Sequence, residues 1–292
     1  MRIAFVHSFP QEYHGIMYLA AALKADGHEC GVFVTSLEKD IIGALSRFSP
    51  GLVGFSCTTG EHLQTAGLAA RVKKALGAVT VFGGPHATVC PEIVEREGVD
   101  IACVGEGEDA VRELASAVER GGDISGIRNL WVKRGGAVVK NEPRPLLEDL
   151  DALPRPDWSI YYKYPFLRGK STKTFIGSRG CPFNCTFCTD PYFQALYRGK
   201  GRYLRMRAPR GFAEEIREQK EILRFSTVTF DDEVFVWNRG WLREFLPLYR
   251  EMVGLPFFCG VRADTLTEEI VGELRDSGCY GMSFGIESGS EH

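Results

Sequence analysis

Short apolar runs recur along this chain at intervals that leave room for one amphipathic helix between each pair. That alternation restricts the fold more than any other feature. In the first 120 residues the runs lie at 3–7, 31–35, 52–57, 79–82 and 100–104. Helix-length amphipathic stretches sit around 15–26, 38–48, 61–76, 88–97 and 109–120. Five such units with short connections predict an α/β domain: a doubly wound, Rossmann-like, five-stranded parallel sheet with helices on both faces. The segments that follow the strands, HSFPQEYHG, SCTTGEH, GGPHAT and VGEGEDA, are rich in Gly, Ser and Thr. In open α/β sheets ligands bind at the carboxyl ends of the strands, where these loops lie.

Residues 129–141, NLWVKRGGAVVKN, place two β-rich runs around Gly135-Gly136, a hairpin signal. The next stretch, 142–165, holds five of the fourteen prolines and reads as a semi-rigid linker. The alternation then resumes, with strands expected at 174–178, 226–230, 256–261 and 280–286 and helices around 209–224, 238–252 and 266–277. The expected domains are therefore 1–125, a hairpin and linker over 126–170, and a second β/α run over 171–292. That run stops on GIESGSEH just after its fourth strand, so the sequence looks cut short.

The 292 residues are 44% hydrophobic and 25% charged, a globular balance that excludes disorder, collagen-like repeats and coiled coil. A formal net charge of −3 calls for neither nucleic acid nor an anionic membrane. No apolar run approaches the roughly 18 residues of a bilayer span. The N-terminus, MRIAFVHSFPQ, reads as a first strand and not as a signal peptide, so a cytoplasmic location is expected. Cys30, Cys57, Cys90, Cys103, Cys259 and Cys279 are scattered and read as small hydrophobic residues.

The other three of the nine cysteines sit together in GSRGCPFNCTFCTDPYF, giving C-x3-C-x2-C at Cys181, Cys185 and Cys188 after the first strand of the second domain. Three thiolates on so short a loop can ligate three irons of a 4Fe-4S cubane and leave the fourth open to a substrate or cofactor. The alternative is zinc, but a closed zinc site wants four ligands. No His lies nearby, and Asp190 would be a poor fourth.

This segment resembles the radical S-adenosylmethionine (radical SAM) enzymes, whose signature has these cysteines with an aromatic residue, here Phe187, before the third. The resemblance implies a truncated (β/α)6 partial barrel over 171–292. It extends to FDDEVF (230–235), GVRADTL (260–266) and FGIESGS (284–290). It implies SAM contacts at Asp232 or Glu233 (amino group), at Arg262, and at Gly285, Glu287 and Ser288. On the residues alone, Asp231, Asp232 and Glu233 could cap the following helix, Asp231 as readily as serve the site, and Glu287 could be a solvated acid at a strand end.

The first domain resembles the cobalamin-binding domain that precedes many radical SAM barrels, through GGPHAT, VGEGE, the hairpin and LDALPRPDW. The residues so implied at a corrin are His14, Gly15, Ser56, Thr58, Thr59, Gly83, Gly84, Pro85, His86, Gly105, Glu106 and Gly107. The D-x-H-x-x-G motif that ligates cobalt from below is absent, and His14, His62 and His86 read as loop hydrogen-bonders. Gly105-x-Gly107-x-x-Ala110 matches a dinucleotide fingerprint, but it follows the fifth strand. Glu106, Glu108 and Asp109 would also oppose a pyrophosphate there. The basic stretch 197–210 could meet nucleic acid or phosphate, but reads better as a structural connector.

The resemblance implies a cobalamin-dependent radical SAM enzyme, with a methyltransferase favoured. The cluster cleaves SAM to a 5′-deoxyadenosyl radical, which takes hydrogen from an unactivated carbon, and methylcobalamin supplies the methyl group. The alternatives are a cyclase or rearrangement enzyme on the same cofactors, or a non-catalytic iron-sulfur and corrinoid binding module. Expected partners are a small-molecule or peptide substrate and an electron donor such as flavodoxin or ferredoxin.

Overall fold

Parallel strands form where the apolar runs predict them. In the computed structural model, which describes residues 1–290, they are β1 (Arg2–His7), β2 (Glu29–Val34), β3 (Leu52–Ser56), β4 (Val79–Gly83) and β5 (Ile101–Cys103). The hairpin strands β6 (Leu130–Arg134) and β7 (Ala137–Lys140) pair antiparallel and extend the same sheet, in the order β2-β1-β3-β4-β5-β6-β7. The observed sheet is thus seven-stranded and mixed, with the expected five parallel strands as its main part. Strand order reverses between β1 and β3, which makes the carboxyl ends of those strands the switch point where such sheets open a crevice. Ala4, Val6, Val53, Phe55, Phe82 and Ala102 lie in the core beneath it.

The helices are His14–Ala25, Ile41–Phe48, His62–Leu76, Pro85–Val89 and Glu108–Glu119. The fourth is short because Pro91, lacking an N–H, cannot continue it, and the chain goes on as a 3-10 turn over Pro91–Glu95.

The chain forms two compact units, and the division does not follow the linker. The first unit takes Met1–Leu146, Leu153–Leu167 and Tyr192–Gly201; the second takes Leu147–Ala152, Arg168–Pro191 and the chain from Arg202 on. Aromatic content explains why part of the Pro-rich stretch does not behave as a spacer. Trp158, Tyr161 and Tyr164 are buried in the first unit. Tyr161 Oη accepts from Tyr13 N (3.1 Å) and lies 3.0 Å from His7 Nε2, while Tyr164 Oη donates to Glu38 Oε1 (2.6 Å) and accepts from Val34 N (2.9 Å).

In the second unit β8 (Thr172–Phe175), β11 (Thr227–Phe230), β12 (Phe257–Gly260) and β13 (Cys279–Ser283) make a parallel sheet in the order β13-β12-β11-β8. Two short strands, β9 (Ser178–Arg179) and β10 (Arg205–Met206), pair antiparallel beside the cysteine loop in sequence. Helices Pro209–Leu223, Arg239–Met252 and Glu268–Asp276 connect the strands. Sequential strands laid side by side in parallel with helical crossovers are the repeat from which β/α barrels are built. Its core is aromatic: Phe230 stacks on Phe235 at 4.5 Å, and Trp241 on Phe245 at 4.6 Å. Two basic residues of the connector, Arg205 and Arg207, are held internally. Arg207 pairs with Asp151 (3.1 Å) and buried Glu215, and Arg205 donates to Leu147 O (2.8 Å). Among the described residues no helix is long and apolar enough to cross a membrane.

One residue fixes the loop after β5. Asn129, buried with φ +73°, donates through Nδ2 to Val104 O (2.8 Å), accepts from Arg144 N at Oδ1 (3.1 Å), and accepts from Val104 N at its own carbonyl (2.8 Å). Asn129→Ala strands two buried polar groups in a left-handed backbone position and should cost about 2–4 kcal/mol. Asn129→Gly relieves the backbone but not the lost bonds, so urea unfolding should rank wild type above Gly and Gly above Ala.

Candidate functional site

The second unit's four parallel strands end on one side, and the residues expected to act there follow those ends. The cysteine loop leaves β9 through Gly180 (φ +91°), where a Cβ would collide with Tyr203 O (2.6 Å). Cys181 and Cys185 are half-buried and Cys188 is exposed. The loop turns through Cys188 N, which donates to Cys185 O (3.1 Å), and Asp190 N donates to Cys188 Sγ (3.5 Å). Arg262, after β12, donates from Nη1 to Cys185 Sγ (2.9 Å) while lying 4.2 Å from the Phe183 ring centroid and pairing with Asp264 (2.7 Å). The guanidinium thus sets a positive charge and a hydrogen-bond donor directly on one sulfur of the loop.

Burial raises the Cys181 thiol, and the charges of Asp190 and Glu233 raise it further. A cationic iron centre would reverse that balance. The donor set, three thiols on one loop with a cation at hand, therefore fits an iron-sulfur cluster. Among the described residues no three of His, Cys, Asp and Glu are grouped to share a single metal ion.

The three acids after β11 separate by role. Asp232 is buried, accepting at its carboxylate from Gly177 N (3.0 and 3.2 Å) and from Ser178 Oγ, so it ties the start of the cysteine loop to β11. Asp231 and Glu233 are exposed, and burial of their immediate surroundings raises both carboxyls. The expectation for SAM named Asp232 or Glu233; the geometry commits Asp232 to the loop and leaves Glu233 at the surface. Phe187 is 67% exposed. Gly285, Glu287 and Ser288 follow β13 and are exposed; Glu287 takes φ +65° and turns its carboxylate back over Gly285.

In the first unit the expected corrin residues gather on the carboxyl ends of β3, β4 and β5. Gly84 (φ +91°) follows β4, and a Cβ there would press on Ser56 Oγ (3.2 Å). His86 stacks on His62 with ring centroids 4.2 Å apart, and its Nδ1 lies 3.2 Å from Thr59 Oγ1; His62 Nδ1 meets Thr59 O. Burial and the neighbouring His62 both lower the His86 pKa. Thr58 Oγ1 donates to Glu61 Oε2 (3.3 Å). His14 begins its helix edge-on to Trp158 (5.8 Å), with Gly15 exposed beside it.

Three consecutive N–H groups of the VGEGE loop are already used: Val104 N by Asn129 O, Gly105 N by Thr88 Oγ1 (3.0 Å) and Glu106 N by Tyr197 Oη (2.8 Å). A phosphate cradle needs such groups free, so the G-x-G-x-x-A match is not an anion site at these positions.

Several site-side residues were not singled out from sequence. His7 at the end of β1 is fully buried, stacked on Tyr13 (4.2 Å), and burial pushes its pKa down to about 4. A polar residue closing an apolar strand beside the switch point was the available signal. Phe183 and Tyr203 had no such signal beyond their nearness to the cysteines.

The B12 binding domain family matches residues 4–115. Over 294 residues the chain is 29% identical to an uncharacterized methyltransferase of Pyrococcus horikoshii, an alignment covering 94% of this chain and 61% of that protein. It is 26% identical to the anaerobic magnesium-protoporphyrin IX monomethyl ester cyclase of Rubrivivax gelatinosus, covering 100% of this chain and 56% of that one. The chain thus spans about six-tenths of the length of these curated relatives. Its fold matches that of TsrM from Kitasatospora setae, a radical S-adenosylmethionine methyltransferase solved with cobalamin and a [4Fe-4S] cluster. The TM-score is 0.77 at 19% identity, over 98% of this chain and 60% of that one.

Burial raises Asp232 to about 6, against the bonds from Ser178 and Gly177 that lower it. Its folded-state pKa stands above the unfolded value of 3.8, so its share of stability is present below that value and is lost as pH rises through about 6. Between about pH 4 and pH 7 the wild type should lose about 2 kcal/mol relative to Asp232→Asn, whatever constant offset the substitution adds. Urea unfolding of both proteins across that range measures the difference in slope.

Proposed function

We propose that the chain belongs to the B12-binding-domain-containing radical SAM family and that it serves a cobalamin-dependent methyltransferase acting on an unactivated carbon. The observation that carries the reading is the cysteine loop with Arg262 on Cys185, in a fold that also holds a B12-binding domain. Cys181, Cys185 and Cys188 hold a 4Fe-4S cluster. Glu233, Arg262, Gly285, Glu287 and Ser288 line the place for SAM. Ser56, Thr58, Thr59, Gly83, Gly84, Pro85, His86, Gly105, Glu106 and Gly107, with His14 and Gly15, receive cobalamin. When bound, these groups supply a SAM-derived radical for hydrogen abstraction and a cobalt-borne methyl for transfer.

The chain's own residues do the positioning. Asp232 holds Gly177 and Ser178, and through them the root of the cysteine loop, against β11. Arg262 keeps positive charge on Cys185. In the first unit Gly83, with open space where a Cβ would stand, lets backbone approach a broad, largely apolar ring, and Thr58 and Thr59 offer hydroxyls to its amide rim. The substrate is a small molecule or peptide, and a low-potential donor such as flavodoxin or ferredoxin supplies the electron.

A second reading rests on the likeness to the magnesium-protoporphyrin ester cyclase, which uses 26% of the same residues over the whole chain. Methyl-labelled SAM separates the two. Incubated anaerobically with reduced, reconstituted protein and cobalamin, it should pass label to cobalamin, seen as the methylcobalamin spectrum. Cys188→Ala should abolish reductive SAM cleavage. 5′-Deoxyadenosine formed with no label on cobalamin would favour the cyclase reading, and no SAM consumption by either route would contradict both.

A further inference from the structure

The segment Tyr192–Gly201 begins four residues after Cys188, yet it is part of the first unit. Two tyrosines place it there. Tyr192 Oη donates to Thr88 O (3.2 Å), in the helix that follows Gly84. Tyr197 is buried, and its Oη accepts from Glu106 N (2.8 Å) over the face of Gly105. Gly105 has φ +81°, and a Cβ on it would run into that hydroxyl. Thr88 links the two contacts: its Oγ1 donates to Gly84 O (3.0 Å) and accepts from Gly105 N (3.0 Å). The far end of the segment is fastened as well. Leu146 N donates to Lys200 O (2.6 Å), and Lys200 Nζ pairs with Glu142 (2.9 Å).

We infer that this segment is a strap that sets the cobalamin face, and that Tyr197 is its positioning residue. The inference rests on the functional reading above, which assigns Gly84, Gly105 and Glu106 to the corrin. Without the hydroxyl, Glu106 N loses its partner and the Gly105–Glu106 peptide is free to rotate, so the surface that cobalamin meets is no longer preformed. The hydrogen-bonded path from Gly84 through Thr88 to Gly105 would keep its own bonds, which confines the effect to the 105–106 peptide. Tyr192 acts one step further out, on a backbone carbonyl of the helix that carries Thr88. Its loss should therefore be milder.

The test compares wild type, Tyr197→Phe and Tyr192→Phe in two measurements. Hydrogen exchange without cobalamin should show faster exchange over residues 104–107 in Tyr197→Phe and near-wild-type exchange in Tyr192→Phe. Titration with hydroxocobalamin, read by its visible spectrum, should show Tyr197→Phe weakened about five- to tenfold. Its melting temperature should fall by no more than a few degrees and its reconstituted iron content should stay at the wild-type value, so that the loss of cobalamin affinity is selective. Unchanged exchange over 104–107, or an affinity equal to wild type, overturns the inference. A general loss of melting temperature with no selective loss of cobalamin also overturns it. If wild type itself fails to bind hydroxocobalamin while exchange responds as expected, the functional reading fails and the strap remains only as a feature of the fold.

Discussion

Parallel pairing is the constraint on which both units depend. Once β1, β3, β4 and β5 run the same way, every loop that leaves them emerges on one edge, and the same holds for β8, β11, β12 and β13. Residues far apart in the chain, such as Ser56, Gly84 and Gly105, or Cys185 and Arg262, are collected without any long-range signal between them. Parallel strands need crossovers, so the helices that bury each sheet follow from the same choice.

Collecting loops on an edge does not hold them still, and buried polar side chains do that work. Asn129 fixes Val104, Thr88 fixes Gly105, Tyr197 fixes Glu106, and Asp232 fixes Gly177 and Ser178. Each is a group whose removal leaves a buried partner unsatisfied, so each specifies a loop conformation more sharply than apolar contact could. Asp232 illustrates the cost: its burial opposes ionisation, and the loop it anchors is held against that penalty.

The strands and the three long helices of the second unit were legible from hydrophobic period alone, because that signal is local and repeated. The predicted helix over 209–224 is observed as Pro209–Leu223, and that over 238–252 as Arg239–Met252. The cysteine loop was legible because its spacing is rare and chemically pointed. The Pro-rich stretch was less so. Prolines suggested a spacer, whereas the run WSIYYKY packs Trp158, Tyr161 and Tyr164 into the first unit. Likewise the Tyr197–Glu106 bond joins residues 91 apart through one hydroxyl and one amide, which no pattern in the sequence encodes.

The central claim is that Cys181, Cys185 and Cys188 hold a four-iron cluster with one iron open to SAM. Electron paramagnetic resonance of the anaerobically reconstituted, reduced protein, recorded before and after adding SAM, tests this most directly. The account predicts a [4Fe-4S] signal whose g-values shift when SAM binds the open iron. A cluster signal indifferent to SAM, or protein that takes up a single zinc and no acid-labile sulfide, would contradict it.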